Sequence, residues 1–123
     1  MYDELKKIEA DIEEYCEGQI CYYYHCELLT APLDDVANLK EVLIRNKVIG
    51  KDDNVESIKI DDVAADFEPI SDEWRFSEDI KQRFLEVIKN ADGYYKVYED
   101  DWSTCRIIQK EDEAVLLDFY ICD

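Results

Sequence analysis

Glycine is scarce in this sequence of 123 residues: Gly18, Gly50 and Gly93 are the three present, and they lie far apart. A phosphate-binding loop and a dinucleotide fingerprint both need several glycines close together, because the backbone must turn tightly and approach the phosphates. The scarcity of glycine therefore excludes both kinds of nucleotide-binding motif.

Catalytic side chains are also few. His25 is the single histidine, and no serine stands in a Gly-x-Ser-x-Gly setting. On a strand, Cys21 and His25 share a face about 13 Å apart, which is too far to hold one metal ion, and Cys26 points to the other face. We interpret His25 as a structural residue beside an aromatic cluster, and we expect no catalytic site.

Carboxylates are the remaining candidates for metal binding. The segment 52–56 comes nearest to a calcium loop, but it lacks the glycine at loop position six and the closing glutamate. Asp61, Asp62 and Asp66 on one helical turn would hold a divalent ion only weakly, and a solvated acidic face is the favoured interpretation. We expect no metal and no cofactor.

Long apolar runs are absent, since no stretch of about 18 residues is apolar enough for a membrane span. The first 15 residues are amphipathic and acidic and lack the charged-then-apolar pattern of an export signal. We therefore expect a cytoplasmic location and no membrane partner. The number of cysteines is five, which is odd. We expect reduced, mostly buried thiols rather than a disulfide framework.

Positive charge is scarce relative to negative charge. The chain has 14 basic and 32 acidic residues, a formal net charge of −18. Nucleic acids and anionic membranes require cationic surfaces, so both are excluded as direct partners. Solubility alone needs a net charge of magnitude about 2–8 in a small domain. Such an excess indicates a basic protein partner, and solubility without a partner remains the alternative.

A folded core is nevertheless expected, because 47% of the residues are hydrophobic and 12% are aromatic. Alternating apolar residues predict a C-terminal antiparallel meander of three strands, with a further N-terminal strand and a possible short strand between helices. Leu116 and Tyr120 lie opposite the apolar face of the last strand, which indicates that the second face of the sheet is also partly covered. The predicted strands are 94–99, 104–109, 115–121, 19–29 and 55–60.

Apolar stripes at spacings of three and four predict about three helices. The first covers 2–17, the second starts at Thr30–Pro32 and ends by Gly50, and the third is capped by Ser77 and ends near Asn90. The sequence thus predicts one α+β domain over residues 1–123, interrupted by an acidic, irregular excursion at about 51–79. From Asp52 to Asp79, eleven acids and two bases give −9, half of the net charge.

Acidic and large aromatic residues together predict a binding surface. Tyr and Trp are frequent hot-spot residues of protein interfaces, and carboxylates around them speed association with a basic partner. The predicted partner-binding residues belong to the acidic excursion and to the first turn of the meander: Asp61, Asp62, Asp66, Glu68, Asp72, Glu73, Trp74, Tyr98, Asp100, Asp101 and Trp102.

The favoured hypothesis is a non-enzymatic acidic inhibitor that blocks a basic nucleic-acid-handling protein by placing carboxylates where phosphates would bind. In size, acidity and lack of catalytic motifs the chain resembles nuclease-toxin immunity proteins, antitoxins and anti-CRISPR proteins. This resemblance is one of physical type, without a shared sequence motif. The alternatives are a small interaction domain whose acidity serves only solubility, and a carboxylate-metal hydrolase.

Overall fold

The computed structural model describes residues 1–29 and 39–122, which form an α+β structure, as predicted. The described part has four α-helices and a short 3-10 helix, slightly more than the three helices expected. The helices are α1 (Tyr2–Asp11), α2 (Leu39–Arg45), the 3-10 helix (Ile60–Asp62), α3 (Val63–Glu73) and α4 (Glu78–Lys89). The strands are β1 (Tyr15–Glu17), β2 (Ile20–Leu28), β3 (Glu56–Ser57), β4 (Gly93–Glu99), β5 (Ser103–Lys110) and β6 (Glu113–Cys122).

The described strands form one antiparallel sheet in the order β1-β2-β6-β5-β4-β3. The last three strands along the chain are the predicted meander, which is confirmed. β2 inserts between β6 and the short β1, so the N-terminal strand lies beside the last strand. The predicted short strand is also present, as the two residues of β3 paired with β4.

One face of the sheet carries the larger core, to which α1, α3 and α4 contribute. Its centre is an aromatic group in which the rings of Phe67, Phe84 and Phe119 lie 5.1–6.0 Å apart. Tyr24 packs edge-on against Phe84 at 5.0 Å. Full burial of each large apolar side chain contributes about 1.5–3 kcal/mol, so this group contributes strongly to holding the helices on the sheet.

The second face carries a smaller core that includes α2. Val42 and Leu43 belong to the same buried cluster as Cys105 and Ile107 of the sheet, and Leu116 packs against it. The expectation that this face is partly covered is confirmed. The predicted start of the second helix at Thr30–Pro32 lies outside the described residues.

Helix α3 corrects the prediction of an irregular excursion. Proline lacks a backbone N–H and disfavours helix interiors, so Pro69 by itself would favour an early end of this helix. The helix nevertheless continues through Pro69 to Glu73. Phe67, Ile70 and Trp74 follow one another at helical spacing and are all buried. Their burial outweighs the local cost of the proline, so packing decides the structure of this segment.

The N-terminal segment needs a second correction. The first helix ends at Asp11, and residues 15–17 turn back as β1 instead of continuing the helix to residue 17. A two-residue loop follows, and Gly18 there has a φ of +65°, which glycine adopts without strain. Cys16 and Cys21 pair across this hairpin and form a disulfide, so the expectation of five reduced thiols was wrong for these two.

Helix α4 is confirmed with its cap. The hydroxyl oxygen of Ser77 accepts a hydrogen bond of 3.2 Å from the backbone N–H of Ile80. This bond satisfies one of the N–H groups that the first turn of a helix leaves free. The buried face of α4 comprises Ile80, Phe84, Leu85 and Ile88.

Candidate functional site

The outer side of α3 and of the 3-10 helix before it carries the exposed acids that the sequence singled out. Asp61 and Asp62 stand at its beginning, and Asp72 and Glu73 stand at its end. All four are exposed, and none of their side chains makes a hydrogen bond or an ion pair with another residue of the described ranges. We call these four residues the acidic face.

Asp66 has a different environment, although it lies on the same helix. Its side chain is 17% exposed and accepts hydrogen bonds from Nε of Arg106 at 2.9 Å and from Nη2 of Arg106 at 3.0 Å. The hydroxyl of Tyr94 donates a third bond, of 2.6 Å. Since both carboxylate oxygens are occupied, Asp66 holds α3 to the sheet and is not part of the acidic face.

Two more predicted residues have partners within the protein. Glu68 forms an ion pair with Lys81 on α4. Trp74 is buried, and its Nε1 donates a hydrogen bond of 3.1 Å to the backbone oxygen of Tyr23. The sequence predicted Trp74 as an interface anchor, but its ring packs into the larger core, edge-on to Tyr22.

The turn between β4 and β5 presents the remaining predicted residues. One carboxylate oxygen of Asp100 accepts hydrogen bonds of 2.8 Å from the backbone N–H groups of Trp102 and Ser103. These bonds hold the pKa of Asp100 below its usual range, so this carboxylate is ionised and fixes the turn. Asp101 is exposed, and the side chain of Trp102 is 56% exposed.

Tyr98 is not an exposed anchor. It is half-buried beside the smaller core of the second face, where its register partner on β5 is Cys105. Burial raises the pKa of Tyr98, followed by the charges of Cys105 and Asp118. Of the three predicted aromatic anchors, Trp102 is therefore the one that the structure leaves open to solvent.

The end of α3 and the turn at Trp102 lie at the same end of the sheet. The backbone N–H of Ile121 donates a hydrogen bond of 2.8 Å to the backbone oxygen of Trp102. Ile121 is the register partner of Tyr22, whose ring contacts Trp74 at 5.6 Å. Because Asp72 and Glu73 directly precede Trp74, a continuous path of contacts joins half of the acidic face to the exposed tryptophan.

The two acids at the start of α3 and the two acids at its end have opposite effects on the stability of the helix. The positive end of the helix dipole favours anions near Asp61 and Asp62, whereas the negative end disfavours them at Asp72 and Glu73. The last turn of α3 has no basic residue to offset this cost. The acids at the C-terminal end therefore do not serve the stability of the helix.

A polar group around His25 was not predicted, because its members come from three distant segments. Nδ1 of His25 lies 3.4 Å from a carboxylate oxygen of Glu9 on α1. The register partner of His25 on β6 is Asp118. Burial alone would raise the pKa of Glu9, but hydrogen bonds from the Cys26 N–H and from Lys6 outweigh it and lower the pKa. Burial raises the pKa of Asp118, one of whose oxygens is buried without a hydrogen-bond partner.

Residues 1–29 and 39–122 contain neither a metal-binding cluster nor a membrane-spanning helix. In these ranges, no group of three or more His, Cys, Asp or Glu side chains is arranged to hold a metal ion. No helix in these ranges has the length and the apolar character needed to cross a membrane. Comparisons of the chain with protein-family models, with curated proteins and with solved structures found no match.

Proposed function

We propose that this protein is a non-enzymatic acidic inhibitor, which binds a basic nucleic-acid-handling protein through the acidic face and the turn at Trp102. The observation that carries the proposal is the pair of carboxylates without side-chain partners at the C-terminal end of α3, Asp72 and Glu73, at the same end of the sheet as the exposed Trp102. These groups oppose the helix dipole, and a partner would offset their cost.

Charge supports a basic partner over an acidic or neutral one. A net charge of −18 repels nucleic acid and attracts cationic surfaces over distances up to about 10 Å at 0.1 M salt. Proteins that handle nucleic acids carry such surfaces, because they must neutralise phosphates. Carboxylates held on a helix can occupy the positions of those phosphates. The class of inhibitor is that of immunity proteins for nuclease toxins or of anti-CRISPR proteins.

Trp102 supplies the apolar part of the proposed contact. Tryptophan is enriched among residues whose truncation costs an interface 2 kcal/mol or more, that is, about 30-fold or more in affinity. Hydrogen bonds to Asp100 and from Ile121 fix the backbone of Trp102, so this backbone loses little conformational entropy on binding. The carboxylates would then raise the association rate, and the tryptophan would slow dissociation.

The experiment is a pull-down from a bacterial lysate, with the protein immobilised, at about 0.05 M and about 0.5 M salt. Bound proteins are identified by mass spectrometry, and duplex DNA is added as a competitor in a parallel sample. We expect one basic nuclease or nucleic-acid-binding protein that is retained at low salt and released by DNA. A neutral or acidic protein retained in the presence of DNA would contradict the proposal, as would a pull-down with nothing enriched.

The same experiment includes the Trp102→Ala variant, with Tyr2→Ala on α1 as a control for removal of a partly exposed aromatic ring elsewhere. We expect Trp102→Ala to lose most of the captured protein and Tyr2→Ala to retain it. Equal capture by both variants would show that Trp102 is not part of the interface.

A further inference from the structure

Three of the five cysteines lie in one row across the sheet. Cys16 on β1 is the register partner of Cys21 on β2, and Cys21 is the register partner of Cys122 on β6. Directly opposed residues of antiparallel strands project from the same face of the sheet. The three sulfur atoms therefore share one face, with Cys21 in the middle.

The three residues differ in chemical state. Cys16 and Cys21 form a disulfide, with their Cα atoms 4.1 Å apart. Cys122 is a free thiol and is exposed, whereas Cys26 and Cys105 are free and buried. An accessible thiol thus stands directly next to one sulfur of a disulfide.

We propose that these three residues form a thiol–disulfide exchange site, in which Cys122 attacks the Cys16–Cys21 disulfide. The thiolate of Cys122 forms a bond to Sγ of Cys21, the Cys16–Cys21 bond breaks, and Cys16 leaves as a thiolate. The proton that Cys122 gives to water is taken up by Cys16. One disulfide and one thiol are present before and after the step, so no oxidant or reductant is needed.

The strand order supports this direction of attack. β2 lies between β6 and β1, so Cys122 and Cys16 flank Cys21 on opposite sides. A displacement at sulfur needs the entering and leaving groups on opposite sides of the attacked atom, and the order of the three residues across the strands is compatible with that arrangement. Opposed Cα atoms of antiparallel strands are about 4.5 or 5.5 Å apart. Both separations lie within the span of about 4.4–6.8 Å that disulfides usually adopt.

The exchange has a chemical consequence at the edge of the sheet. It transfers the covalent link from the β1–β2 hairpin to the β2–β6 pair and leaves Cys16 as a free thiol. Cys16 is an exposed residue, so the exchanged form offers a thiol on β1 to alkylating agents or to small disulfides. None of the four acidic-face residues belongs to this site, but Cys122 directly follows Ile121, whose backbone N–H bonds to Trp102 of the proposed interface.

The test maps disulfides in the folded wild-type protein after incubation without added thiol at about pH 8. N-ethylmaleimide then blocks free thiols, and a protease that cleaves after glutamate is applied under acidic, non-reducing conditions. Glu17, Glu27 and Glu113 place Cys16, Cys21 and Cys122 in separate peptides, 15–17, 18–27 and 114–123. Fragmentation of linked peptides separates Cys21 from Cys26.

We expect two populations: peptide 15–17 linked to 18–27 with maleimide on Cys122, and peptide 18–27 linked to 114–123 with maleimide on Cys16. Absence of the second population would overturn the proposal. The Cys122→Ser variant is the control, and it should show the first linkage alone. A maleimide-labelled Cys16 in that variant would mean that another thiol performs the exchange.

The Cys16→Ser variant tests the reach of Cys122 directly. It keeps four cysteines, and mild oxidation should link Cys21 to Cys122 with the loss of two thiols and two mass units from the intact protein. Circular dichroism establishes that the variant is folded. Four free thiols in the folded, oxidised variant would show that the two sulfur atoms do not reach each other, and would overturn the proposal.

Discussion

The ion pair beneath α3 gives the sharpest prediction about stability. The side chain of Arg106 is 2% exposed, and two of its nitrogen atoms donate to Asp66 at 2.9 and 3.0 Å. The Asp66→Ala substitution leaves this guanidinium with the backbone oxygen of Cys105 and with Glu99 at 3.7 Å. Tyr94 loses its acceptor at the same time. Breaking a buried ion pair typically costs about 3–5 kcal/mol, and we expect a loss within that range.

Urea titrations at constant ionic strength measure the free energy of unfolding, because urea does not screen the net charge of −18 as guanidinium chloride does. The Asp62→Ala variant is the control, since it removes an exposed carboxylate beside the same helix. We expect it to change stability by at most about 0.5 kcal/mol. A loss below about 1 kcal/mol in Asp66→Ala would refute the structural role of Asp66.

The double variant Asp66→Leu with Arg106→Met separates the cost of an unpaired charge from the value of the pair. Replacing both members of a buried pair by apolar residues is often neutral or stabilising, whereas removing one is costly. We expect the double variant to be more stable than Asp66→Ala. Equal or lower stability would mean that packing, and not charge, accounts for the loss.

Four further predictions concern single residues. The Ser77→Ala variant should lose about 1 kcal/mol in urea titrations, because the α4 cap bond is lost, while Ser57→Ala on β3 should not. Gly18→Ala should lose about 1–2 kcal/mol, because its φ of +65° is strained for alanine. The lowered pKa of Glu9 means that its carboxylate stabilises the fold above the usual glutamate pKa and that this stabilisation is lost as the pH falls through the folded-state value. Glu9→Gln should therefore lower the urea midpoint at pH 7, and its difference from the wild type should shrink as the pH falls below the usual glutamate pKa. Burial raises the pKa of Asp118, so Asp118→Asn should raise the midpoint at pH 7, and a lower midpoint would contradict this reasoning.

Most of the sheet was predictable, because its signals are local and agree with one another. The alternation in the meander and the Ser77 cap each act within a few residues, and each matches the structure. Helix α3 was missed although Phe67, Ile70 and Trp74 have helical spacing. Pro69 disfavours a helix locally, but the burial of Phe67 and Trp74 against Phe119 outweighs that cost.

The candidate site was harder to predict, since sequence gives charge but not pairing. Asp62 and Asp66 look alike in the sequence. Arg106, 40 residues beyond Asp66, forms an ion pair with Asp66 and not with Asp62. The sequence likewise offered two tryptophans without distinguishing the buried Trp74 from the exposed Trp102. The disulfide was not predicted because the first helix was expected to reach residue 17, whereas residues 15–17 form a strand and Gly18 lies in the loop of a hairpin.

Charge reversal tests most sharply whether the acidic face binds a basic partner. One variant carries lysine at Asp61, Asp62, Asp72 and Glu73. Lysine at positions 61 and 62 is unfavourable near the positive end of the α3 dipole, whereas lysine at positions 72 and 73 is favourable near the negative end. Because these two effects offset each other, the helix should remain folded. The control variant carries lysine at four exposed acids elsewhere: Glu13, Glu41, Asp52 and Asp112.

Each reversal changes the charge by two, so both variants change the net charge by the same eight units. The amount of basic protein captured from the lysate is measured for both variants and for the wild type at several salt concentrations. We expect capture to be lost in the acidic-face variant and kept in the control, which should show the wild-type dependence on salt. Equal capture by the two variants would contradict this expectation, because binding would then follow total charge and not this surface.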